Sequence, residues 1–443
     1  MDFKINNLGI VKEANLEINN LTIITGENNS GKTYITQACY GLIKKISNNF
    51  SIKLKENHLS KLYAEKKVKL SLTDYEKEIN NIYKEITTRY TKELNNIFGS
   101  IGNNFFNTKI SMTYALPNLT NNLISSSTYS NIKNRFNITI IDKSNLSFSI
   151  LNQSINNNST LLPDDINTAF SLLLTNFLFP SIEYSCSERN GLLLFQKDID
   201  GNRSELINRM QATSNLDNIK TYLNKNTGKL PLCMQDNLSR IRTIKSFETN
   251  TNKFSIEQSI ADKIKEINSG YYSTSNGQVF FTPNNKEKIR LNLEESSSSV
   301  CSLFDLNLVL QNIPYKTLIF IDEPEMNLHP KKQRDIARLI VTMVNLGYKL
   351  VISTHSDIII REINTMILLN TPNKKHILIE EGYSELETLD IAKLNCYTTK
   401  SNNDNTYSLE QIPVSQDEGI AIESFDDTIE EINRIQDRIL WEE

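Results

Sequence analysis

The N-terminal part of the chain alternates short apolar runs with polar turns. The segments FKINNLGIV and ANLEINNLTIIT predict two strands joined by a turn. The second segment runs directly into the loop GENNSGKT, and the following YITQACYGLIKKI carries apolar residues at helical spacing. The pattern therefore predicts a strand, a loop and a helix in that order.

A longer helix is predicted over about residues 73–98. Thr73 and Glu76 have the spacing of a capping box at its N-terminus. One amphipathic helix is too short for a long coiled-coil arm, so the pattern favours packing against the core or against a partner helix. The apolar stripe consists of Ile79, Ile82, Tyr83, Ile86, Tyr90, Leu94 and Ile97.

Further strands are predicted on both sides of a mixed helical region at about residues 165–270, and residues 152–160 are predicted to form a flexible loop. The last third of the chain alternates strands and helices, which predicts a parallel sheet with crossover helices. Its elements are the strand TLIFID, a helix from Lys331 to Asn345, the strand KLVIST and a helix near Asp357. The other predicted strands are KISMTYAL, FNITIID, LSFSIL, QVFFTP and KIRLNL.

The composition is that of an ordinary globular protein, with 443 residues of which 39% are hydrophobic and 23% charged. The formal net charge of −4 argues against a uniformly basic surface, so nucleic-acid binding is possible but is not indicated by charge. Five cysteines without a CxxC pair fit reduced thiols. No apolar run approaches the roughly 18 residues of a membrane span, and the N-terminus lacks the apolar core of a signal peptide. These features predict a cytoplasmic protein without a membrane partner.

The loop GENNSGKT has the spacing of a phosphate-binding Walker A loop. Gly26 and Gly31 allow backbone N–H groups to turn toward phosphates, while Lys32 would reach the β- and γ-phosphates and the Thr33 hydroxyl would bind Mg²⁺. ATP and Mg²⁺ are therefore the predicted cofactors. The predicted nucleotide contacts in the loop are Gly26, Glu27, Asn28, Asn29, Ser30, Gly31, Lys32 and Thr33.

Two apolar segments further along the chain end in side chains that a phosphate-binding loop needs for ATP hydrolysis. LIFIDEPE places Asp322 at the end of a buried strand, where it can hold Mg²⁺, and Glu323 next to it as the general base for an attacking water. KLVISTHSD ends near His355, which can contact the γ-phosphate and help to orient the water. Lys32, Glu323 and His355 are the predicted catalytic residues.

The acidic pair, the NLHP segment at Asn327 to Pro330 and the STHS segment together resemble the Walker B, D-loop and H-loop series of ABC-type ATPases. The forms GENNSGKT, DEPEMNLHP and STHSD are similar to those of the OLD-like and SMC-like branch. The resemblance implies an α/β fold: an ABC-type P-loop NTPase with a mixed sheet and a large α-rich insertion between Walker A and the signature.

The resemblance also implies a division of the chain. Residues 1–50 would form the N-terminal part of the ATPase domain with Walker A, and residues 51–275 a helical and strand insertion. Residues 276–380 would form the C-terminal part of the ATPase domain, with the signature, Walker B, D-loop and H-loop, and residues 381–443 a C-terminal strand-helix cap.

The signature segment is placed by resemblance in ESSSSVCSLFDLNLVL, where Ser297 takes the position of the signature serine and Ser298 and Ser299 take the positions of small residues. The family's glycine is missing. Serine hydroxyls and N–H groups at a helix N-terminus can bind a γ-phosphate, and an ordinary helix N-cap is the alternative. In the family, the signature of one protomer completes the site of another. This implies a homodimer, or a higher homo-oligomer, that sandwiches ATP head to tail, with Asn327 at the shared nucleotide.

The segment SCSERNGLLLF is similar to a P-[AS]-x-R-x-G segment of OLD-like ATPases in bacterial anti-phage defence, of the Septu and PARIS type, although Cys186 stands where the proline would be. LPLCMQDNL and GIAIESFDDTIEEIN also resemble segments of that group. Arg189 would contact nucleotide or the opposing protomer, with a surface or structural role as the alternative.

The segment HILIEEGYSELETLDIAKL resembles the opening of a Toprim nuclease domain, in which a strand would end at Glu380, Glu381 and Gly382. The sequence after it supplies no later strand ending in D-x-D, and two-metal catalysis needs several converging carboxylates. We therefore expect no nuclease activity of the chain itself. Instead, KLNCYTT and TYSLEQIPV predict a strand pair and FDDTIEEINRIQDRILWE a closing helix.

Three functions fit these features. The first is an ATPase switch that controls a separate effector, such as a nuclease or toxin, in anti-phage defence. The second is an SMC-like ATPase of DNA repair or maintenance, against which the lack of long heptad repeats and of net basicity counts. The third is an ATP-binding scaffold with little hydrolysis, which the glycine-free signature would permit.

Overall fold

A computed structural model describes residues 1–100, 102, 104–113, 127–128, 136–141, 145–151, 162–201, 204, 229–243, 258–275, 278–284, 288–312, 317–421 and 433–439. The helices include α1 (Lys32–Asn49), α2 (Glu56–Glu65), α3 (Glu76–Lys92), α4 (Leu94–Ile97), α5 (Pro163–Leu178), α6 (Arg189–Leu194), α7 (Leu232–Arg242), α8 (Gln258–Asn268), α9 (Ser298–Asn312), α10 (Pro330–Asn345), α11 (Asp357–Leu369) and α12 (Lys375–Glu380).

The strands are β1 (Asp2–Leu8), β2 (Val11–Glu17), β3 (Leu21–Gly26), β4 (Lys67–Ser71), β5 (Lys109–Thr113), β6 (Ser127–Thr128), β7 (Phe136–Ile140), β8 (Asn145–Ile150), β9 (Ile182–Ser185), β10 (Gly270–Ser275), β11 (Gln278–Pro283), β12 (Leu291–Asn292), β13 (Leu318–Asp322), β14 (Lys349–Ser353), β15 (Leu394–Ser401), β16 (Tyr407–Ile412), β17 (Val414–Ser415) and β18 (Gly419–Ile420).

The chain forms two compact units. The first comprises Met1, Gly41–Glu93 and Ile110–Ser181, and the second comprises Asp2–Tyr40, Leu94–Lys109 and Ile182–Glu443. Residues 51–275, predicted as one insertion, contribute to both units, and residues 381–443, predicted as a cap, belong to the second.

The second unit contains one mixed sheet with the strand order β1-β2-β16-β15-β3-β14-β13-β9. The neighbouring pairs from β15 to β9 run parallel, which confirms the parallel sheet predicted for the last third of the chain. β3 and β13 are almost entirely buried, as central parallel strands between covered faces must be. The predicted strand pair near the C-terminus is confirmed as the antiparallel β15 and β16, and β15 lies directly beside β3.

The helices after β13 and β14 contribute to a hydrophobic core cluster of this unit. In α10 the apolar residues Ile336, Leu339, Ile340 and Met343 recur at helical spacing, and all four are buried. Pro330 occupies the first turn of α10, where a missing backbone N–H costs nothing. The helices predicted over Lys331 to Asn345 and near Asp357 are therefore confirmed.

The first unit contains the antiparallel sheet β4-β8-β7-β6 and the helix α3. The stripe predicted for the long helix is buried at Ile79, Tyr83, Ile86 and Tyr90. The predicted capping box is wrong, because residues Leu72–Tyr75 form a separate 3₁₀ turn and the N-cap of α3 makes no side-chain hydrogen bond. The helix predicted over 73–98 also ends earlier, at Lys92, before the short α4.

The segment ANLEINNLTIIT forms two strands and not the single strand predicted. The break lies at two asparagines, where the Asn19 N–H donates to Thr22 Oγ1 (3.0 Å) and the Asn20 N–H donates to Asn19 Oδ1 (2.8 Å). Such local side-chain bonds replace strand pairing and favour a turn.

Some predictions fall outside the described residues. The loop at 152–160 lies outside them entirely, and of the predicted closing helix only residues 433–439 are described, as helix. Within the described part of the chain, none of the helices is both long and apolar enough to cross a bilayer.

Candidate nucleotide-binding site

The loop between β3 and α1 depends on its two glycines. Gly26 has φ +134° and Gly31 has φ +92°, both in the region that favours glycine. A Cβ atom on Gly26 would lie 1.9 Å from Thr399 Oγ1, and one on Gly31 would lie 2.3 Å from Val11 Cγ2. Side chains of β15 and β2 therefore pack closely against the loop. A side chain at either glycine would clash with them and distort the loop.

Lys32 is folded into this loop. Its ammonium donates hydrogen bonds to the carbonyls of Gly26 (2.9 Å) and Glu27 (2.6 Å), and the residue is only 5% exposed. Burial lowers the pKa of Lys32 to about 8, although nearby carboxylates, first of all that of Glu323, act in the opposite direction. Ser30 closes the loop with a hydrogen bond from its hydroxyl to the Glu27 carbonyl (2.7 Å).

Asp322 is the buried last residue of β13, and each of its two carboxylate oxygens accepts a hydrogen bond from a hydroxyl group. Ser353 donates to Oδ1 and Tyr184 donates to Oδ2 (2.9 Å). The Tyr184 hydroxyl also lies 2.9 Å from Thr36 Oγ1, one turn after Thr33. Burial raises the pKa of Asp322 to about 6, although the two hydroxyl donors lower it in part. These contacts connect the Asp322 carboxylate to the helix that carries Thr33.

The raised pKa of Asp322 predicts a pH-dependent stability of the protein without metal and nucleotide. The folded state holds this proton more tightly than the unfolded state, so the contribution of Asp322 to stability is present below about pH 4 and is lost as the pH rises through about 6. We expect the free energy of unfolding of the wild type minus that of Asp322→Asn to fall by roughly 2 to 3 kcal/mol between pH 4 and 7. Urea denaturation in EDTA measures it, and a difference that does not change with pH would contradict the assignment.

Glu323 and His355 meet at the ends of β13 and β14. Glu323 Oε1 lies 3.5 Å from His355 Nε2, and each side chain is about 30% exposed. The contact with the His355 imidazole lowers the pKa of Glu323, with a further contribution from the charge of Lys32, while burial opposes them. Glu323 is therefore an ionised, partly exposed carboxylate beside an imidazole, as a general base requires.

Arg189 holds the main chain of the acidic pair. Its guanidinium is buried and donates to the carbonyls of Asp322 (2.8 Å), Glu323 (2.7 Å) and Cys186 (3.0 Å). The Glu323 backbone has φ +47°, an uncommon conformation for a residue with a side chain, and these hydrogen bonds fix the carbonyls on either side of it. This arrangement fits the structural alternative for Arg189.

The signature serines are placed differently. Ser297 and Ser298 are exposed at the start of α9; the Ser297 hydroxyl lies 2.9 Å from that of Ser299, and the Ser298 carbonyl accepts from Asn190 Nδ2 (3.0 Å). Within the described residues, no hydrogen bond joins these serines to the loop. Asn327, which has φ +60°, contacts Ser302 of α9 at 3.4 Å.

Three side chains of the site were missed by the sequence analysis: Tyr184, Ser353 and Thr36. Ser353 pairs with Asp322 across β13 and β14, so aligning the ends of these two apolar segments could have found it. Thr36 follows Thr33 by one helical turn. Tyr184 lies on the short β9, and its sequence offers no comparable signal.

The segment that resembles the opening of a Toprim domain does not form the strand expected from that resemblance. Residues Lys375–Glu380 form α12, and the exposed Glu380 and Glu381 lie at its end, before a left-handed Gly382 (φ +71°).

A glycine loop ending in Lys-Thr between a strand and a helix, facing an Asp-Glu pair at the end of a parallel strand, defines a P-loop NTPase. A family model described as an AAA ATPase domain matches residues 1–360, and the chain belongs to this family. The predicted fold class is confirmed: an α/β P-loop NTPase with a mixed sheet, consistent with the ABC type. Membership in a family of ATPases implies that the chain uses a nucleotide.

The other comparisons are more limited. The Old nuclease of Escherichia phage P2 is 52% identical over 40 residues, which are 9% of this chain and 7% of that protein. The Smc head domain of Pyrococcus furiosus, bound to the C-terminal domain of ScpA, is 10% identical with a TM-score of 0.35, over 98% of each chain. The SMC head domain from Thermotoga maritima is 10% identical with a TM-score of 0.32, over 93% of this chain and 98% of that one.

Proposed function

We propose that this protein binds ATP with Mg²⁺ and hydrolyses it at the loop Gly26–Thr33. The observation that supports this most strongly is that β3, β14 and β13 are parallel neighbours, so that the loop with Lys32 and the Asp322–Glu323 pair follow strand ends at one edge of the sheet. The proposal assigns to the loop residues, from Gly26 to Thr33, the contacts to the triphosphate.

The residues present fit ATP and Mg²⁺. The loop is a cradle that a Cβ atom at Gly26 or Gly31 would fill, and hydroxyl and carboxylate oxygens are the ligands that Mg²⁺ prefers. Thr33 and Asp322 would hold the ion, which when bound neutralises charge on the phosphate oxygens.

Each catalytic side chain has a separate task in the proposal. Lys32 leaves the carbonyls of Gly26 and Glu27 and donates to the β- and γ-phosphates. Glu323, whose lowered pKa keeps its carboxylate ionised, accepts a proton from the attacking water. His355, held beside Glu323, orients that water and contacts the γ-phosphate.

We further propose that two copies of the chain complete each other's sites head to tail. Ser297 and Ser298 are exposed at the N-terminus of the 15-residue helix α9, where N–H groups and the helix dipole favour an anion. Since they make no hydrogen bond to the loop of their own chain within the described residues, the partner's γ-phosphate is their proposed ligand. Asn327, which contacts α9 through Ser302, would lie at the same interface.

Complementation tests the shared site. Lys32→Ala removes the loop function, and Ser297→Arg with Ser298→Arg blocks the signature, so each variant alone should be inactive. A mixed dimer contains one site built only from intact parts. An equal mixture should therefore regain roughly a quarter of wild-type ATPase activity, because half of the dimers are mixed and each has one working site of two. Phosphate release measures this recovery.

The control for that mixture is a pairing of Lys32→Ala with Glu323→Gln, which belong to the same half-site. In a mixed dimer, one site then contains the Lys32 substitution and the other contains the Glu323 substitution. Neither site is intact, so the mixture should stay inactive. No recovery in the first mixture, with both variants folded by circular dichroism, would contradict a site shared between copies.

We propose that the ATPase controls a separately encoded effector, a nuclease or toxin, in bacterial anti-phage defence. The resemblance of SCSERNGLLLF to defence ATPases and the local match to the Old nuclease of Escherichia phage P2 support this proposal. Co-purification with the product of the neighbouring gene, with and without ATP, tests it. A complex that binds DNA without an effector would favour the DNA-maintenance function instead.

A further inference from the structure

Glu325 connects the acidic pair to His355. It lies two residues after Glu323, and its Oε1 accepts hydrogen bonds from the Thr354 hydroxyl (2.8 Å) and from the backbone N–H of His355 (2.7 Å). The carboxylate thus joins the segment that follows β13 to the segment that follows β14.

The turn that carries Glu325 is itself fixed. The Met326 N–H donates to the Glu323 carbonyl (3.1 Å), and the Leu328 N–H donates to the Glu325 carbonyl (3.0 Å). These bonds support the main chain of the turn that carries Glu323 and Glu325. Since Glu325 binds the His355 main chain while Glu323 faces the His355 imidazole at 3.5 Å, these contacts form a closed ring around the histidine.

The second carboxylate oxygen of Glu325 lowers the stability of this arrangement. Oε2 is buried, and within the described residues no donor reaches it. A buried carboxylate oxygen without a partner lowers stability, so packing alone does not account for a carboxylate here. The charge of Glu325 does act on the Lys32 ammonium, which places the carboxylate within the electrostatic field of the phosphate loop.

We propose that Glu325 is a positioning residue of the ATPase reaction: it holds the His355 main chain so that the imidazole meets the Glu323 carboxylate. This inference rests on the proposed ATP hydrolysis. Glu325 acts through His355 and does not itself exchange a proton with water or contact the phosphates.

A double-mutant cycle tests this dependence. We expect Glu325→Ala to lower kcat roughly tenfold, the effect of losing hydrogen bonds to a charged group, and to change KM for ATP less than about threefold. In a His355→Ala background, Glu325→Ala should lower kcat by less than about twofold further, because the histidine that it positions is gone. Reductions that multiply independently would overturn the inference, as would an Ala variant with wild-type kcat.

The conservative variant separates positioning from general destabilisation. Glu325→Gln keeps an acceptor oxygen for Thr354 and His355, so its kcat should lie well above that of Glu325→Ala. Thr354→Val removes one of the two donors and should lower kcat by a smaller factor than Glu325→Ala, while leaving KM unchanged. If Glu325→Ala does not fold, the kcat values of Glu325→Gln and Thr354→Val still test whether Glu325 positions His355. Wild-type kcat in Thr354→Val, together with a kcat of Glu325→Gln that is lowered tenfold or more, would contradict positioning through these bonds.

The same assays distinguish failure of this inference from failure of the proposed function. If the wild type releases no phosphate from ATP, the proposed function is wrong. If the wild type is active and the cycle between residues 325 and 355 is additive, only the role of Glu325 is wrong.

Discussion

Replacing Glu323 with Gln is expected to lower the turnover of ATP by at least about 100-fold while ATP remains bound. Glutamine keeps the size of the side chain and can still contact His355, but it cannot accept the proton of the attacking water. Phosphate release under saturating ATP measures the loss, and calorimetric titration measures the retained affinity.

The same variant should accumulate as a dimer with ATP, because binding favours the sandwiched state and the step that ends it is blocked. Light scattering with and without ATP measures the mass. Glu381→Gln is the matched control: this exposed glutamate at the end of α12 lies outside the proposed site, and the change should leave turnover and mass as in the wild type. A Glu323→Gln protein that stays monomeric in saturating ATP and turns over like the wild type would contradict both roles.

Replacing Lys32 with Ala is expected to weaken ATP binding by at least about 100-fold, since a charge-assisted contact to the phosphates is removed. The ammonium lies 2.6 Å and 2.9 Å from two loop carbonyls, so its loss also leaves the loop without an internal support. Calorimetric titration with ATP and Mg²⁺ measures the affinity.

The matched control for this change is Lys400→Ala. Lys400 is an exposed lysine of β15 that pairs with Glu410 at 3.3 Å, and its removal should leave the affinity for ATP unchanged. Equal affinity of Lys32→Ala and the wild type would contradict the phosphate-binding assignment of the loop.

The nucleotide loop and its facing strands were predictable because each is a local pattern. An apolar run before GENNSGKT and the runs before Asp322 and His355 specify buried strands, and parallel strands bring such ends to one edge of a sheet. The spacing of these segments along the chain was enough to predict the site, since the functional side chains directly follow each strand.

The features of the site that could not be predicted from the sequence depend on pairing between distant segments of the chain. β15 lies beside β3, although more than 360 residues separate them, and its Thr399 limits the space at Gly26. A local hydrophobic pattern predicts that a strand exists but not which strand it joins. For the same reason, the contacts of Tyr184 with Asp322 and of Arg189 with the carbonyls of the acidic pair were not predictable.

The errors near the N-terminus and in α3 have a different cause. At Asn19 and Asn20, side-chain hydrogen bonds to the main chain interrupt an otherwise continuous apolar pattern. At Thr73 the spacing of a capping box was correct, but a 3₁₀ turn at Leu72–Tyr75 delays the start of the helix, so the threonine lies too early to cap it.

ATP hydrolysis at the Gly26–Thr33 loop is most directly tested by phosphate release from ATP by the wild type, with Lys32→Ala and Glu323→Gln in the same assay. The proposed site predicts phosphate release by the wild type that stops in EDTA. It predicts at least about 100-fold less release by Lys32→Ala, which binds ATP weakly, and by Glu323→Gln, which still binds ATP. Binding without release by the wild type would instead indicate an ATP-binding scaffold, and release that persists in both variants would place hydrolysis elsewhere.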